Sequence, residues 1–365
     1  MQIAPLQNQS HINALDGVRG IACLLVLQSH LVNTGYIEGA ALKQGILGVV
    51  IFFILSGFLM GFLYFKVTAT YQIIDYLIKR FFRVYPAYFV VSLIAAIVAY
   101  TIGLSALPYS SFSQPIFDLD YLVQQLALQK GWGHFWTIPL EMHFYLLFAF
   151  FLFLIRPVLF QRLLVLTFVT IILLYTSNLP FLAHRWLMEL DKNSYAVIWR
   201  FIGIFTAGAC FGIIYRVWQK TMYLRYVLNT VANIGTLMLL FLLFASNHDA
   251  LLDSKLLKLN WHDITWLSPV IGFYIFSCAV ASNSRLQLIN NIFLRYTGKI
   301  SYSLYLWHLI IFCILTNSMD LEPVEGLMLS LIFSYVIATA SYKFIEIPGI
   351  NAGTKLILVH NPQHP

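Results

Sequence analysis

Arg19 and His30 stand eleven residues apart in an otherwise apolar stretch that runs from Leu15-Asp16-Gly17-Val18-Arg19-Gly20 to Gln28-Ser29-His30. Three turns of an α-helix take about 10.8 residues, so both side chains share one helix face, roughly 16 Å apart along the axis. A guanidinium grips phosphate through a planar fork. A neutral imidazole takes a proton from a hydroxyl or is itself acylated. Plainer roles exist for both: an arginine can snorkel to a membrane surface, and a histidine can tie two helices together.

Three further clusters carry chemistry-bearing residues. In Phe135-Trp136-Thr137-Ile138-Pro139-Leu140-Glu141, continuing through Met142, His143, Phe144 and Tyr145, the residues Thr137, Glu141 and Tyr145 fall on one face at i, i+4 spacing. Glu141 is expected at the depth of His30, where a carboxylate orients an imidazole and raises its basicity. His143 points to a different face. In Lys79-Arg80-Phe81-Phe82-Arg83-Val84-Tyr85-Pro86, Arg80 and Arg83 are an i, i+3 pair. With Arg19 on the same side, three guanidiniums can converge on a polyphosphate; the alternative is a topology signal or a lipid-headgroup contact. In Gly298-Lys299-Ile300-Ser301-Tyr302-Ser303-Leu304-Tyr305-Leu306-Trp307-His308, the polar residues Ser301, Tyr305 and His308 share a face, which either lines a cavity or joins helices.

These side chains must be positioned by membrane helices. Of 365 residues, 60% are hydrophobic and 10% charged, against about 25% charged in soluble domains. The mean hydropathy is +0.78, and the chain holds 30 Phe, 21 Tyr and 8 Trp. This composition excludes a soluble enzyme, a disordered chain and a disulfide-rich domain. The net charge of +7 comes without the clustered, solvated basic face that nucleic acid requires, so no nucleic-acid partner is expected. Cys23, Cys210, Cys278 and Cys313 lie in apolar stretches without metal-ligand spacing, so neither a metal site nor a disulfide is expected.

A span needs about 20 apolar residues. Ten are predicted: 14–34, 45–65, 84–103, 136–155, 160–179, 196–215, 226–245, 264–282, 300–318 and 324–345. The runs are continuously apolar rather than alternating, so the fold class is all-α and polytopic, not a barrel. An even count puts both termini on one side. Loops on that side carry fourteen Lys and Arg and the opposite loops seven, which predicts cytoplasmic termini. Met1 to Ala14 is polar, so no cleaved leader is expected. One membrane domain, 1–350, is expected with a short cytoplasmic tail, 351–365. The loop 104–135, with its aromatic residues, is expected on the membrane surface or dipping into it.

An ionisable side chain at the centre of a membrane helix costs about 2.5–3.5 kcal/mol on insertion scales. Arg19, His30, Glu141, His143 and His308 are therefore the informative residues of the spans. A secondary transporter of a polar or anionic solute is the alternative reading, but transporters favour paired repeats and helices broken at mid-membrane, and no paired halves are seen in the sequence. A non-catalytic, glycan-binding partner is a further alternative.

The ordered set of motifs resembles the acyltransferase-3 family of integral-membrane acyltransferases. The matching runs are Leu15 to Gly20 with His30; Phe52-Phe53-Ile54-Leu55-Ser56-Gly57-Phe58; Lys79 to Pro86; Phe135 to Glu141 with Phe144-Tyr145; Ser301 to His308; and Glu346-Ile347-Pro348. The chain departs from the family pattern at Val50, where an acid is common, and at Ile347, where a basic residue is common.

The resemblance implies transfer of an acetyl group from cytoplasmic acetyl-CoA, a co-substrate rather than a bound cofactor. The acceptor is a hydroxyl of an extracytoplasmic or lipid-linked glycan, and the setting a bacterial inner membrane. It makes His30 the essential histidine and Arg19 its partner. Arg80 and Arg83 match the basic motif that would hold the donor. In the expected mechanism His30 is the general base, Glu141 fixes its imidazole, and Tyr145 or Ser301 donates to the oxyanion. Asp16, Tyr85, Trp136, Tyr305 and His308 would line or support the cavity. Prior acylation of His30 is an open alternative.

Overall fold

A computed structural model describes residues 12–37, 42–65, 67, 69–102, 119–131, 133–154, 165–167, 169–172, 196–218, 225–245, 261–282, 284 and 287–360. Among them every regular element is helical. Eight helices are long and apolar enough to cross a membrane, so the protein is a polytopic, all-α membrane protein. The elements are α1 (Asn13–Asn33), α2 (Leu42–Tyr64), α3 (Thr70–Ile102), α4 (Leu119–Leu126), α5 (Thr137–Leu154), α6 (Ala196–Trp218), α7 (Arg225–Ala245), α8 (Trp261–Val280), α9 (Ile292–Ser318), α10 (Pro323–Ser341) and α11 (Ile347–His360). α8 has a shorter apolar run, Trp266–Val280. Of the span expected at 160–179, only residues 165–167 and 169–172 are described, all of them helical; of the loop expected at 104–135, residues 104–118 and 132 lie outside the described residues, and the rest holds α4 and a 3-10 turn, Gly133–Trp136.

Two helices start well before their predicted edges. α3 begins at Thr70 rather than 84, and α9 at Ile292 rather than 300. The predicted edges are those of the apolar spans and mark only the end of the hydrocarbon. The helices run on past it, so Arg80, Arg83, Arg295 and Lys299 sit on helical backbone. The side chain of Asn291 caps α9 by accepting from the Phe293 N–H at 2.8 Å.

α10 and α11 are joined by one wide π-helical turn, Tyr342–Glu346, just ahead of Pro348. A proline ring crowds the carbonyl four residues back, and a wider turn relieves that crowding. The turn delivers Glu346 into the bundle, 3% exposed. Residues 351–360 continue as helix, with Gly353 seated on Phe82 of α3.

The centre is built from α1, α2, α6 and α9. Within their apolar windows α1 and α9 are each 72% buried, against 17% for α7, which leaves α7 on the outside. Glycines let the central helices approach closely, as small residues do in membrane bundles. Gly57 and Gly61 of α2 meet Phe205 and Ala209 of α6, while Gly208 and Gly212 of α6 meet Ile54 and Phe58 of α2.

α1 and α9 are locked together in the same way. A Cβ on Gly298 would lie 1.7 Å from the Asp16 carbonyl, and one on Gly20 would lie 2.1 Å from the Leu294 carbonyl. Cys23 lies beside Ser301, and His30 beside His308, both pairs 278 residues apart. The two helices therefore run parallel and in step. Gly298→Val should drive them apart, at a cost of about 1–3 kcal/mol or more. Its readouts are a lower thermal midpoint in detergent and less folded protein in membranes; an unchanged midpoint would contradict the packing described.

Candidate active site

At one end of the bundle a vestibule of about 710 Å³ opens among α1, α2, α3, α9 and the π-helical turn. Five cationic residues line it: Arg19, Arg80, Arg83, Arg295 and Lys299. Two carboxylates accompany them, and each is engaged. Asp16 accepts from Arg19 Nη1 at 2.9 Å, and Glu346 accepts from Ser303 Oγ at 3.0 Å. The vestibule is thus net cationic and suits an anionic ligand.

Arg80 is the most deeply set of these cations, 6% exposed. Its guanidinium carbon lies 5.3 Å from the Tyr64 ring centroid and 5.6 Å from that of Tyr145, distances at which a ring face attracts a cation. Its Nε is buried without a hydrogen-bond partner among the described residues. Arg83 is half-buried, and Lys79 points outward to an exposed position.

A narrower chamber of about 90 Å³ continues inward and shares Arg19, Leu59, Arg80 and Arg83 with the vestibule. Val49, Phe52, Phe53 and Ser56 of α2 form one wall. Thr137, Glu141 and Tyr145 of α5 and Ser301, Tyr302 and Tyr305 of α9 form the others. Glu141 accepts hydrogen bonds from Ser56 Oγ at 2.6 Å and from the Tyr145 hydroxyl. At the inner end the Tyr305 hydroxyl accepts from Thr137 Oγ1 at 2.8 Å and donates to the His134 carbonyl.

One turn beyond Tyr305 lies a cluster of three histidines. His308 is fully buried, and its Nδ1 faces the carbonyls of Leu304 at 3.1 Å and Tyr305 at 2.8 Å. Facing two acceptors, that nitrogen carries the hydrogen, which leaves Nε2 with its lone pair. His30 Nδ1 lies 2.8 Å from this Nε2, and the rings stack at 4.9 Å. His30 must therefore donate from Nδ1, so its Nε2 holds the basic lone pair. His134 donates from Nε2 to the Leu306 carbonyl at 3.1 Å and sets its ring edge-on to His308 at 5.1 Å. Its Nδ1 is buried without a partner among the described residues. Among the described residues no three His, Cys, Asp or Glu are arranged to hold a metal ion.

The expected pairing of Glu141 with His30 is not formed. Its depth was counted from a membrane boundary at Trp136, but the 3-10 turn Gly133–Trp136 is already inside the bundle, level with the histidine cluster. Glu141 lies two turns farther along α5 and belongs to the chamber wall. The place beside His308 is taken by His134. Its sequence signal is a histidine two turns before Glu141, in a stretch expected to lie on the membrane surface or dip into it.

Tyr145 has its hydroxyl hydrogen committed to Glu141 and is not a donor to an oxyanion in this geometry. Tyr85 does not line either cavity: its hydroxyl donates to the Leu126 carbonyl at 3.0 Å and fastens α4 to α3. Trp136 likewise packs away from the chamber, against Phe53 and Phe201 at 6.2 and 5.4 Å. His143 turns back to the Pro139 carbonyl within its own helix.

The peptidoglycan O-acetyltransferase OatA of Listeria monocytogenes is 24% identical over 93% of this chain and 56% of its own length. The O-acetyltransferase OatA of Staphylococcus aureus is 24% identical over 97% of this chain and 60% of its own length. The chain thus spans less than two thirds of these relatives. No solved structure matches it. The family model of the acyltransferase domain aligns with residues 12–343, from just before α1 to the start of the π-helical turn, and takes in the arginines and all three histidines of the cluster. On that match the chain belongs to the acyltransferase-3 family.

Proposed function

We propose that the protein is a membrane O-acetyltransferase that takes acetyl from acetyl-CoA at its basic end and delivers it to a glycan hydroxyl arriving at the histidine end. The observation that carries this reading is the shape and charge of one passage. A wide cationic vestibule narrows into a slender, mostly apolar chamber that stops one turn short of an oriented His30–His308 pair. A ligand with a polyanionic head and a thin arm ending in a thioester matches that sequence of environments.

In this reading Arg19, Arg80 and Arg83 hold the donor's phosphates through charge-assisted hydrogen bonds. Glu141 is a positioning residue: it anchors Tyr145, whose ring backs the Arg80 guanidinium. The pantetheine arm occupies the chamber, and a small movement of Tyr305 and Thr137 admits the thioester to His30. Nε2 of His30 takes the proton of the acceptor hydroxyl as its oxygen attacks the thioester carbonyl. The imidazolium so formed keeps its Nδ1–H on His308. Collapse of the tetrahedral intermediate breaks the C–S bond, and the imidazolium returns the proton to the CoA thiolate. The products are an O-acetyl ester and free CoA.

Cytoplasmic donor binding, an inner-membrane location and a surface glycan acceptor follow from the same reading. Peptidoglycan, named for the Listeria relative, is one acceptor to test. Mass spectrometry of surface glycans from cells with and without the gene should show an acetyl group present only when the protein is made. Identical glycans, together with solute uptake by proteoliposomes that does not need acetyl-CoA, would overturn the proposal in favour of transport.

A further inference from the structure

Two of the five cations in the vestibule have no part in the chamber. Arg19, Arg80 and Arg83 line both cavities and sit where the wide part meets the narrow one; Arg295 and Lys299 line the vestibule alone. They are an i, i+4 pair on α9, so they present two positive groups from one helix face. Arg295 donates from Nη2 to Asn13 Oδ1 at 2.9 Å, while its Nε is buried without a partner among the described residues. Lys299 is exposed, with its ammonium 5.7 Å from the centroid of the Tyr342 ring. Of the vestibule carboxylates, Asp16 accepts from Arg19 and Glu346 from Ser303.

We infer that Arg295 and Lys299 form a second phosphate seat, distinct from the three-arginine seat, which takes the ribose 3′-phosphate of a coenzyme A donor. This rests on the donor reading given above and adds to it. A CoA molecule carries phosphate in two places. Its diphosphate joins directly to the pantetheine arm, so an arm in the chamber leaves the diphosphate at the junction, among Arg19, Arg80 and Arg83. The nucleotide end must then lie farther out in the vestibule, which is wide enough for it, and the cations found there are Arg295 and Lys299. The seat gives the protein a means to prefer CoA over donors with the same arm and one phosphate fewer.

The test needs neither turnover nor acceptor. CoA and dephospho-CoA, which differ only in the 3′-phosphate, are titrated by calorimetry into the protein in lipid nanodiscs. Charged hydrogen bonds of this kind lead us to expect that the wild type binds CoA about tenfold or more tightly than dephospho-CoA. In Arg295→Gln/Lys299→Gln the preference should vanish, with CoA affinity falling to the dephospho-CoA level and dephospho-CoA affinity unchanged. Lys299→Gln alone, at an exposed position, should remove part of the preference without disturbing the fold. Equal wild-type affinity for the two ligands, or a preference that survives in the double variant, would overturn the second seat while leaving the donor reading intact. The second of these results would place the contact to the 3′-phosphate on other residues. Failure of the wild type to bind either ligand would overturn the donor reading, and the seat with it.

Discussion

His30→Gln should lower acetyl transfer by roughly 10²–10⁴-fold, the usual contribution of a positioned general base, with the donor KM little changed. Glutamine is close in size and can still donate a hydrogen bond to Nε2 of His308, so the α1–α9 contact survives. What it lacks is a basic lone pair where His30 carries Nε2. The distinction matters because His30 sits beyond the chamber and does not touch the arginines; losing it should affect chemistry rather than donor affinity. Initial rates against acetyl-CoA concentration, at matched protein levels in membranes, give both parameters. Full activity would remove His30 from the mechanism. A large rise in KM with kcat unchanged would make it a binding residue instead.

Arg80→Gln combined with Arg83→Gln should have the opposite signature. Each guanidinium is expected to make charge-assisted contacts worth about 1.5–3 kcal/mol, so the pair should raise the donor KM by roughly 10²-fold or more and reduce kcat less. Arg80→Lys should not rescue it. The guanidinium carbon lies 5.3 and 5.6 Å from the Tyr64 and Tyr145 ring centroids, and an ammonium offers neither a planar group nor a forked pair of donors. An unchanged donor KM in the double variant would show that the vestibule is not where the donor's phosphates bind.

Much of this site was legible in the sequence, for identifiable reasons. The eleven-residue spacing of Arg19 and His30 is a property of helix geometry alone, and α1 keeps it. The two arginines of α3 and the stripe of Ser301, Tyr305 and His308 follow from the same face arithmetic. Depth was harder to read. The apolar stretch ahead of Glu141 does not show that the chain is already inside the bundle at His134, because a 3-10 turn buried by other helices looks like a loop. The early starts of α3 and α9 were hidden for a related reason: hydrophobicity reports hydrocarbon thickness, whereas these helices continue into a polar vestibule. The wide turn that places Glu346 had only Pro348 to announce it.

The account depends on one passage leading from the arginines to the histidines. A CoA thioester with a photoreactive diazirine in its short acyl group reports directly where that group rests. After irradiation in membranes and proteolysis, mass spectrometry should find the label on peptides containing Thr137, His134, Tyr305 or His30, with loss of labelling when excess acetyl-CoA competes. Label confined to the vestibule residues of α9 and the π-helical turn, or spread over the outer helix α7, would contradict it.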